Sequence, residues 1–276
     1  MKGISVIIPY YKGEKYIKET IETVNRALEI SSMNYEIIII NDSPEEDISR
    51  YLILSSKLRI INNQLNEGIA YSRNKGKKLA NYSHLHFIDQ DDWIEENFYK
   101  KVYSYIQKSY DAIIFNYNLC EKNKLTTGYN LLFSQYIKIL SPKQMFKYGN
   151  FFKTIGQLIV KKEAFSEFIE TETMGSDDAY LFIDLFWNRK SKKIKYIKEP
   201  LFNYRVHENN YTEKTDFFKS SAECFHKYKK INKEVAKYEK YLLKRSSGDL
   251  YLIYMGRIIR LLTRHDYVSL YWRKLL

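Results

Sequence analysis

Three carboxylates lie within four residues in the segment Asp89-Gln90-Asp91-Asp92, directly after an apolar stretch. Their mutual repulsion destabilises the ionised segment unless a cation offsets it. Mg²⁺ and Mn²⁺ typically use one or two protein carboxylates and complete their shell with phosphate oxygens and water. The segment therefore predicts either a divalent metal site for a phosphate-bearing substrate or an acidic turn that caps the following helix.

Three further segments carry residue types that are used in catalysis. Ser176-Asp177-Asp178 begins a predicted helix, where one aspartate can cap the helix and the other can act as a general base. Tyr204-Arg205-Val206-His207 combines a guanidinium with an imidazole, groups that bind diphosphate or complete a metal shell. Arg73, one turn inside a predicted helix, can face either a phosphate or the acidic segment. Capping, solvated loops and a basic helix face explain the same residues, so none identifies an activity alone.

The elements that must position these residues alternate between strands and helices. Apolar runs at residues 4–8 and 36–40 predict buried strands, and Ile17, Ile21, Val24 and Leu28 recur between them at helical spacing. The alternation predicts a doubly wound, Rossmann-like sheet, mostly parallel, with helices on both faces. Further strands are predicted at 58–61, 84–88, 112–115 and 195–197, and further helices at 69–79 and 98–106.

Ligands of such sheets bind at the carboxyl ends of the strands. The sequence has no Gly-x-Gly-x-x-Gly after the first strand and no Gly-x-x-x-x-Gly-Lys-Ser/Thr, which argues against a dinucleotide-binding enzyme and a P-loop NTPase. The residues to inspect are those that follow the first four strands, namely Pro9-Tyr10-Tyr11, Asn41-Asp42-Ser43, Asn62-Asn63 and the acidic segment.

Composition indicates a globular chain of 276 residues with 45% hydrophobic residues and only two cysteines, Cys120 and Cys224. Two cysteines are too few for a disulfide scaffold, so we expect a reducing cytosol. The N-terminus does not resemble a signal peptide, and no apolar run approaches the roughly 20 residues that span a bilayer. We expect a cytoplasmic protein.

The formal net charge of +12 is unevenly distributed, since residues 211–276 contain 15 basic and 7 acidic side chains. Such an excess suits nucleic acid, an anionic membrane surface, or solubility alone.

Taken together, the order and spacing of these segments resemble the inverting family 2 glycosyltransferases, which have a GT-A fold. The resemblance covers residues 2–211 and implies a GT-A catalytic domain at 1–211, with a mixed, mostly parallel sheet flanked by helices, followed by a basic helical C-terminal extension at 212–276. One departure is Asn41-Asp42-Ser43-Pro44, where the family usually has Asp-Asp-Gly-Ser. The matching segments are Pro9-Tyr10-Tyr11, Asn41-Asp42, Asn66-x-Gly68-x-x-x-Ser72-Arg73-Asn74-x-Gly76, Asp89-x-Asp91-Asp92, Asp177-Asp178 and Tyr204-Arg205-x-His207.

The resemblance also implies a role for each matching residue. Asp42 would accept a hydrogen bond from uracil, and Asp91, with His207, would hold Mn²⁺ or Mg²⁺ at the diphosphate. Asp178 would be the catalytic base, although the match leaves Asp177 open as an alternative. The nucleotide-sugar-binding residues implied in this way are Pro9, Tyr11, Glu14, Asp42, Asn66, Gly68, Arg73, Asp89 and Gln90.

The implied reaction transfers one sugar from a nucleotide-diphosphate donor, most often a UDP-sugar, to a glycan or lipid-linked acceptor hydroxyl, with inversion, in bacterial surface polysaccharide synthesis. Processive members carry Gln-x-x-Arg-Trp after the base, and this motif is absent here.

Two alternatives are a nucleic-acid-binding protein that uses the basic aromatic C-terminal helices and a catalytically silent relative. The aromatic residues are spread along the whole chain, so core packing explains them better than stacking on bases, and we expect no nucleic-acid partner. A further alternative is a sugar-nucleotide pyrophosphorylase. Such an enzyme would need a glycine-rich phosphate loop after the first strand, and the residues at 9–13 do not supply one.

The C-terminal segment predicts a peripheral association with the inner face of the plasma membrane. Apolar residues at helical spacing lie beside Arg257, Arg260 and Arg264, and Tyr271-Trp272-Arg273-Lys274 has residue types found at membrane interfaces. The alternative is that these helices pack on the catalytic domain and that the arginines form its solvated face.

Overall fold

The computed structural model describes residues 1–53, 55–122, 124–128, 154–168, 170, 178, 181, 182, 184, 185, 193–208 and 210. The chain divides into two compact units. The first consists of Met1–Asn118, Thr154–Glu170 and Ser191–Arg205, and the second consists of Leu119–Lys153, Thr171–Lys190 and Val206–Leu276. The predicted helical extension at 212–276 lies outside the described residues, so it and its boundary remain predictions.

The described part of the chain is an α/β structure with a nine-stranded sheet in the order β3-β2-β1-β4-β8-β6-β9-β5, in which β7 pairs with β6 off this path. The strands are β1 (Ile4–Tyr10), β2 (Tyr35–Asn41), β3 (Leu58–Asn62), β4 (His84–Phe87), β5 (Trp93–Ile94), β6 (Ala112–Glu121), β7 (Lys124–Gly128), β8 (Leu158–Lys161) and β9 (Ile194–Val206). The α-helices are α1 (Glu14–Glu29), α2 (Ile69–Leu79) and α3 (Phe98–Gln107).

Strands β1 to β4 are parallel, with β1 between β2 and β4 and β3 outside β2. Strand β8 runs antiparallel between β4 and β6, so β6 has the same direction as β4. The predicted mixed, mostly parallel α/β sheet is therefore confirmed. Because β1, β2, β3 and β4 are parallel, their carboxyl ends lie at the same edge of the sheet.

Strands β6 and β9 extend well beyond their predicted ends, because polar side chains interrupt their apolar pattern. The prediction for β6 ended at 115, but the strand continues through Asn116 and Asn118. Their Nδ2 atoms donate to the carbonyls of Lys198 (2.6 Å) and Pro200 (3.5 Å) in β9, so the asparagines bond within the sheet. The short strand predicted at 195–197 is likewise part of the 13-residue β9.

Helix α2 lies very close to β1, because a glycine faces the strand. A Cβ added at Gly76 would lie 2.3 Å from Cγ2 of Ile7. On α1, the apolar face predicted from Ile17, Ile21 and Val24 is buried. Within the described residues, no helix has the length and apolar character needed to cross a membrane.

His86 in β4 is a fully buried polar residue that joins three parts of the core. Its Nδ1 lies 2.8 Å from the Tyr99 hydroxyl of α3, and its Nε2 lies 2.9 Å from the Gly156 carbonyl. The ring stacks on Phe98, with centroids 5.1 Å apart. Since the Gly156 carbonyl can only accept, Nε2 carries the proton and Nδ1 accepts from Tyr99. Burial lowers the pKa of His86 from 6.5 to about 4, so the ring is neutral at pH 7.

Protonation of His86 is expected to destabilise the fold in mild acid. The unfolded state takes up the proton near pH 6.5 and the folded state only near pH 4, so stability falls as the pH drops through this interval. Between about pH 7.5 and pH 5 the expected loss is about 2 kcal/mol. Urea denaturation of the wild type and His86→Phe at both pH values measures it. The variant is expected to be less stable at pH 7.5 and to show a smaller pH dependence; equal pH dependence in both proteins would contradict this account.

Candidate active site at the carboxyl edge of the parallel strands

Asp42, the first residue after β2, is buried and connects the ends of the parallel strands. Its backbone N–H donates to the Tyr10 carbonyl (2.8 Å). Its Oδ1 accepts from Asn63 Nδ2 (2.6 Å) and from the Glu67 N–H (2.9 Å), and its Oδ2 accepts from the Gly68 N–H (2.8 Å). Because Glu67 and Gly68 directly precede α2, the carboxylate lies at the N-terminus of that helix, where negative charge is favoured.

Asn41, the last residue of β2, extends this network. Its Nδ2 donates to Asn62 Oδ1 (3.0 Å) and to the Glu46 carbonyl (3.0 Å), while its Oδ1 accepts from the Ser43 N–H (2.9 Å). An aspartate could not donate the first two bonds. The asparagine that departs from the usual motif is therefore suited to its neighbours. Ser43, which replaces the motif glycine, accepts from the Lys12 N–H through Oγ (2.9 Å).

Arg73 is buried one turn inside α2 and faces the acidic segment, one of the two orientations that the sequence allowed. Its Nη2 donates to Asp89 Oδ1 (2.6 Å), in an ion pair whose side chains are 5% and 26% exposed. The guanidinium lies 5.2 Å from the centre of the Phe168 ring. Thr154 Oγ1 lies 3.4 Å from the other Asp89 oxygen. The charges of Arg73 and Asp89 thus offset each other at the end of β4.

Gln90 joins the loop after β4 to the loop after β1. Its Oε1 accepts from the Tyr11 N–H (2.8 Å) and its Nε2 donates to the Tyr11 carbonyl (2.8 Å). Thr20 of α1 donates to the Gln90 carbonyl (2.7 Å). A Cβ at Gly13 would lie 2.3 Å from Gln90 Cδ, so the amide packs against this glycine. The backbone of Tyr11 is fixed in this way, while its side chain remains 44% exposed.

Asp91 and Asp92 contact β9 through Arg205. The Arg205 Nε donates to the Asp91 carbonyl (2.8 Å), and the Arg205 backbone N–H donates to Asp92 Oδ1 (2.9 Å). Asp92 is 1% exposed, and its Oδ2 has no hydrogen-bond partner among the described residues. Burial, together with the negative charges of Asp91 and Asp89, raises the pKa of Asp92 well above its usual range.

The remaining predicted site residues divide between the two units. In the first unit, Pro9 is buried in β1, Glu14 is the exposed first residue of α1, and Asn66 Oδ1 accepts from the Gly68 N–H (3.1 Å). Gly68 has φ 89°, a conformation that favours glycine. Asp178 and His207 belong to the second unit, and both are partly exposed. The His207 N–H donates to Asn210 Oδ1 (2.5 Å). Asp177 lies outside the described residues.

The sequence prediction assigned no individual role to three residues that hold the site together. Asn63 was one of the polar residues that follow β3, so its position at the edge was a usable signal. Asp92 belonged to the acidic segment, but nothing in the sequence distinguished the buried carboxylate from its neighbours. Thr154 reaches Asp89 from 65 positions away, and no sequence motif marks it.

The carboxylates among the described residues fit some kinds of divalent metal site and not others. Among them, no group of three or more His, Cys, Asp or Glu side chains could hold a metal ion. Mg²⁺ and Mn²⁺ need only one or two protein carboxylates when phosphates supply the other oxygens. The raised pKa of Asp92 reflects in part the negative charges of Asp89 and Asp91 beside it. The residues therefore fit a site completed by substrate, and do not fit a closed structural metal site.

Comparison with known proteins identifies similar enzymes. The chain is 25% identical over 220 residues to the putative glycosyltransferase EpsH of Bacillus subtilis, covering 74% of this chain and 61% of EpsH. It is 25% identical over 126 residues to the UDP-Glc:alpha-D-GlcNAc-diphosphoundecaprenol beta-1,3-glucosyltransferase WfgD of Escherichia coli, covering 44% of this chain and 48% of WfgD. The chain thus spans about half to three fifths of these relatives.

The fold also matches a solved structure. Residues 1–349 of S. aureus TarS in complex with UDP-GlcNAc superpose with a TM-score of 0.55 at 16% identity, covering 82% of this chain and 66% of the TarS chain. This similarity supports the GT-A fold. The model of the family Glycosyl transferase family 2 matches residues 5–169, more than half of the chain. The chain therefore belongs to glycosyl transferase family 2.

Proposed function

We propose that this family 2 glycosyltransferase moves one sugar from a UDP-sugar to a hydroxyl of a glycan or lipid-linked acceptor, with inversion, during synthesis of a bacterial surface polysaccharide. One observation carries the proposal. Tyr11, Asp42 and Asp89 follow the parallel strands β1, β2 and β4 at one edge of the sheet, and Arg73 of α2 pairs with Asp89 there. This is the edge at which open α/β sheets bind ligands.

The uracil of the donor would bind between Tyr11 and Asp42. A carboxylate has about four acceptor positions, and three at Asp42 are used by Asn63, Glu67 and Gly68. The remaining capacity is available for one N–H donor, and a pyrimidine with a ring N–H supplies it. The exposed ring of Tyr11 offers a face on which a base can stack.

The diphosphate would lie at the acidic loop, with Mn²⁺ or Mg²⁺ held by Asp91 and assisted by His207. A bound metal would offset the negative charge that develops on the departing diphosphate. Arg73 is paired with Asp89, so it would act by holding that carboxylate in place. Gln90 would act through the Tyr11 backbone, to which both polar atoms of its amide are bonded.

In the proposed reaction, the acceptor hydroxyl oxygen forms a bond to the anomeric carbon from the face opposite the diphosphate. The bond from that carbon to the diphosphate oxygen breaks, and its electron pair leaves with UDP. The hydroxyl proton passes to the carboxylate of Asp178, which is the general base. The in-line arrangement of the entering and departing oxygens inverts the anomeric centre.

The acceptor class is proposed from the relatives. The name of WfgD specifies a sugar linked to diphosphoundecaprenol, whose polyprenol chain is apolar. A lipid-linked acceptor suits a chain that works at the inner face of the plasma membrane, with residues 212–276 as the basic contact segment.

The donor proposal predicts metal-dependent binding of UDP. By titration calorimetry, Mn²⁺ is expected to strengthen UDP binding at least about 10-fold, because a metal held by Asp91 would offset the charge of the diphosphate. GDP and CDP are expected to bind more weakly, because neither base is a pyrimidine with a ring N–H. Asp91→Asn is expected to remove most of this gain. Glu96→Gln, which removes an exposed carboxylate five positions away, serves as the matched control. Failure of any nucleotide to bind the wild type, or equal gains in wild type and Asp91→Asn, would refute the proposed donor site.

The base proposal predicts that chemistry and binding separate in Asp178→Asn. Release of UDP from a panel of UDP-sugars is expected to fall by about 10²-fold or more, the usual contribution of a general base. UDP affinity is expected to stay within about 2-fold of wild type. Asp177→Asn is the matched control and is expected to retain most activity. Comparable turnover of Asp178→Asn and wild type, or loss only in Asp177→Asn, would exclude Asp178 as the base.

A further inference from the structure

Arg205 forms an unusually complete set of contacts around the acidic loop. Its Nε donates to the Asp91 carbonyl, and its Nη2 pairs with Glu19 Oε2 of α1 (2.5 Å). The guanidinium lies 4.4 Å from the centre of the Trp93 ring and 4.9 Å from that of Tyr16. The planar group is therefore bonded along its edge and covered by aromatic rings, which suits arginine better than lysine.

The backbone of Arg205 fixes the same loop at a second point. Its N–H donates to Oδ1 of the buried Asp92. Two residue pairs, Trp93 with Asn203 and Ile94 with Phe202, join β5 to β9 in antiparallel register. Arg205 lies two residues beyond this pairing, so strand register brings it to the acidic loop. Its main chain and its side chain then bond to consecutive aspartates.

From the sequence, Arg205 could bind diphosphate, complete a metal shell or belong to a solvated loop, but the observed bonds suggest a different role. We propose that Arg205 is a positioning residue that fixes the Asp91-Asp92 backbone against β9 and α1, and so sets the metal affinity of the donor site. This inference rests on the proposed function, because it concerns the metal that Asp91 would hold. Arg205 acts through the Asp91 carbonyl and does not itself contact the nucleotide.

The physical reason is preorganisation. A metal site bound by one or two protein carboxylates depends strongly on the orientation of those carboxylates, because few ligands share the constraint. If the Asp91 carbonyl loses its donor, the loop can adopt further conformations, and metal binding must then restrict them again. The affinity for metal falls. The base contacts are retained, because Tyr11 keeps its bonds to Gln90 and Asp42 keeps its bonds to the start of α2.

The test compares Arg205→Lys with Lys101→Met in the full chain. The first keeps the charge but loses the Nε donor and the planar group. The second removes the ion pair between Lys101 of α3 and Glu199 of β9, a pair that does not include a residue of the acidic loop. Mn²⁺ is titrated in the presence of saturating UDP, with free Mn²⁺ followed by electron paramagnetic resonance. The Mn²⁺ dissociation constant is expected to rise about 10-fold in Arg205→Lys and less than about 2-fold in Lys101→Met, while metal-free UDP affinity stays within about 2-fold in both.

Hydrogen exchange without metal gives a second readout. A peptide spanning 88–94 is expected to exchange faster in Arg205→Lys than in wild type and Lys101→Met. Should Arg205→Lys fail to fold, Glu19→Gln removes one exposed partner of the same guanidinium, and the Mn²⁺ dissociation constant is expected to rise about 3-fold. If wild type binds UDP with Mn²⁺ but folded Arg205→Lys, or Glu19→Gln in its place, matches it, the positioning role alone is overturned. If wild type shows no Mn²⁺ binding with UDP, the proposed donor site fails and this inference fails with it.

Discussion

The site depends on the burial of a single carboxylate, that of Asp42. Burying a charge is costly unless hydrogen bonds compensate for it, and Asp42 obtains three from Asn63, Glu67 and Gly68. These bonds fix the start of α2 against the ends of β2 and β3. The Gly68 φ of 89° lets the chain turn into the helix at that point. This contact, together with the close approach of Gly76 to Ile7, holds the first turns of α2 against the sheet.

Arg73 is the first consequence, since it lies one turn along α2 and is directed at Asp89 after β4. The neighbouring Asn74 bonds to both backbone groups of Phe168, with Nδ2 to the carbonyl (2.7 Å) and Oδ1 from the N–H (2.8 Å). Phe168 in turn lies beneath the Arg73 guanidinium. Gln90 and Arg205 hold the other side of the acidic loop. The carboxylates are thus placed by long-range contacts from β1, α2 and β9.

The sequence predicted the parts of this site that depend on local pattern. Strand ends can be located from apolar runs, so the strand pattern alone places Asp42, Asn63 and Asp89 at one edge. The partners of these residues could not be predicted, because they depend on register between distant segments. Gln90 meets Tyr11 across 79 positions, and Arg205 reaches Asp91 across 114. The insertion of β8 between β4 and β6, which brings Thr154 to Asp89, has no signature in the strand pattern. The extent of β6 was underestimated because Asn116 and Asn118 bond within the sheet.

The central claim is that the carboxyl edge of β1, β2 and β4 binds a uridine nucleotide. A crystal structure of the wild-type protein with UDP and Mn²⁺ tests it most directly. The account predicts uracil between Tyr11 and Asp42, the diphosphate beside the 89–92 loop, and Mn²⁺ bound to Asp91. UDP bound elsewhere on the protein, or bound at this edge with Asp91 turned away from the metal, would contradict it.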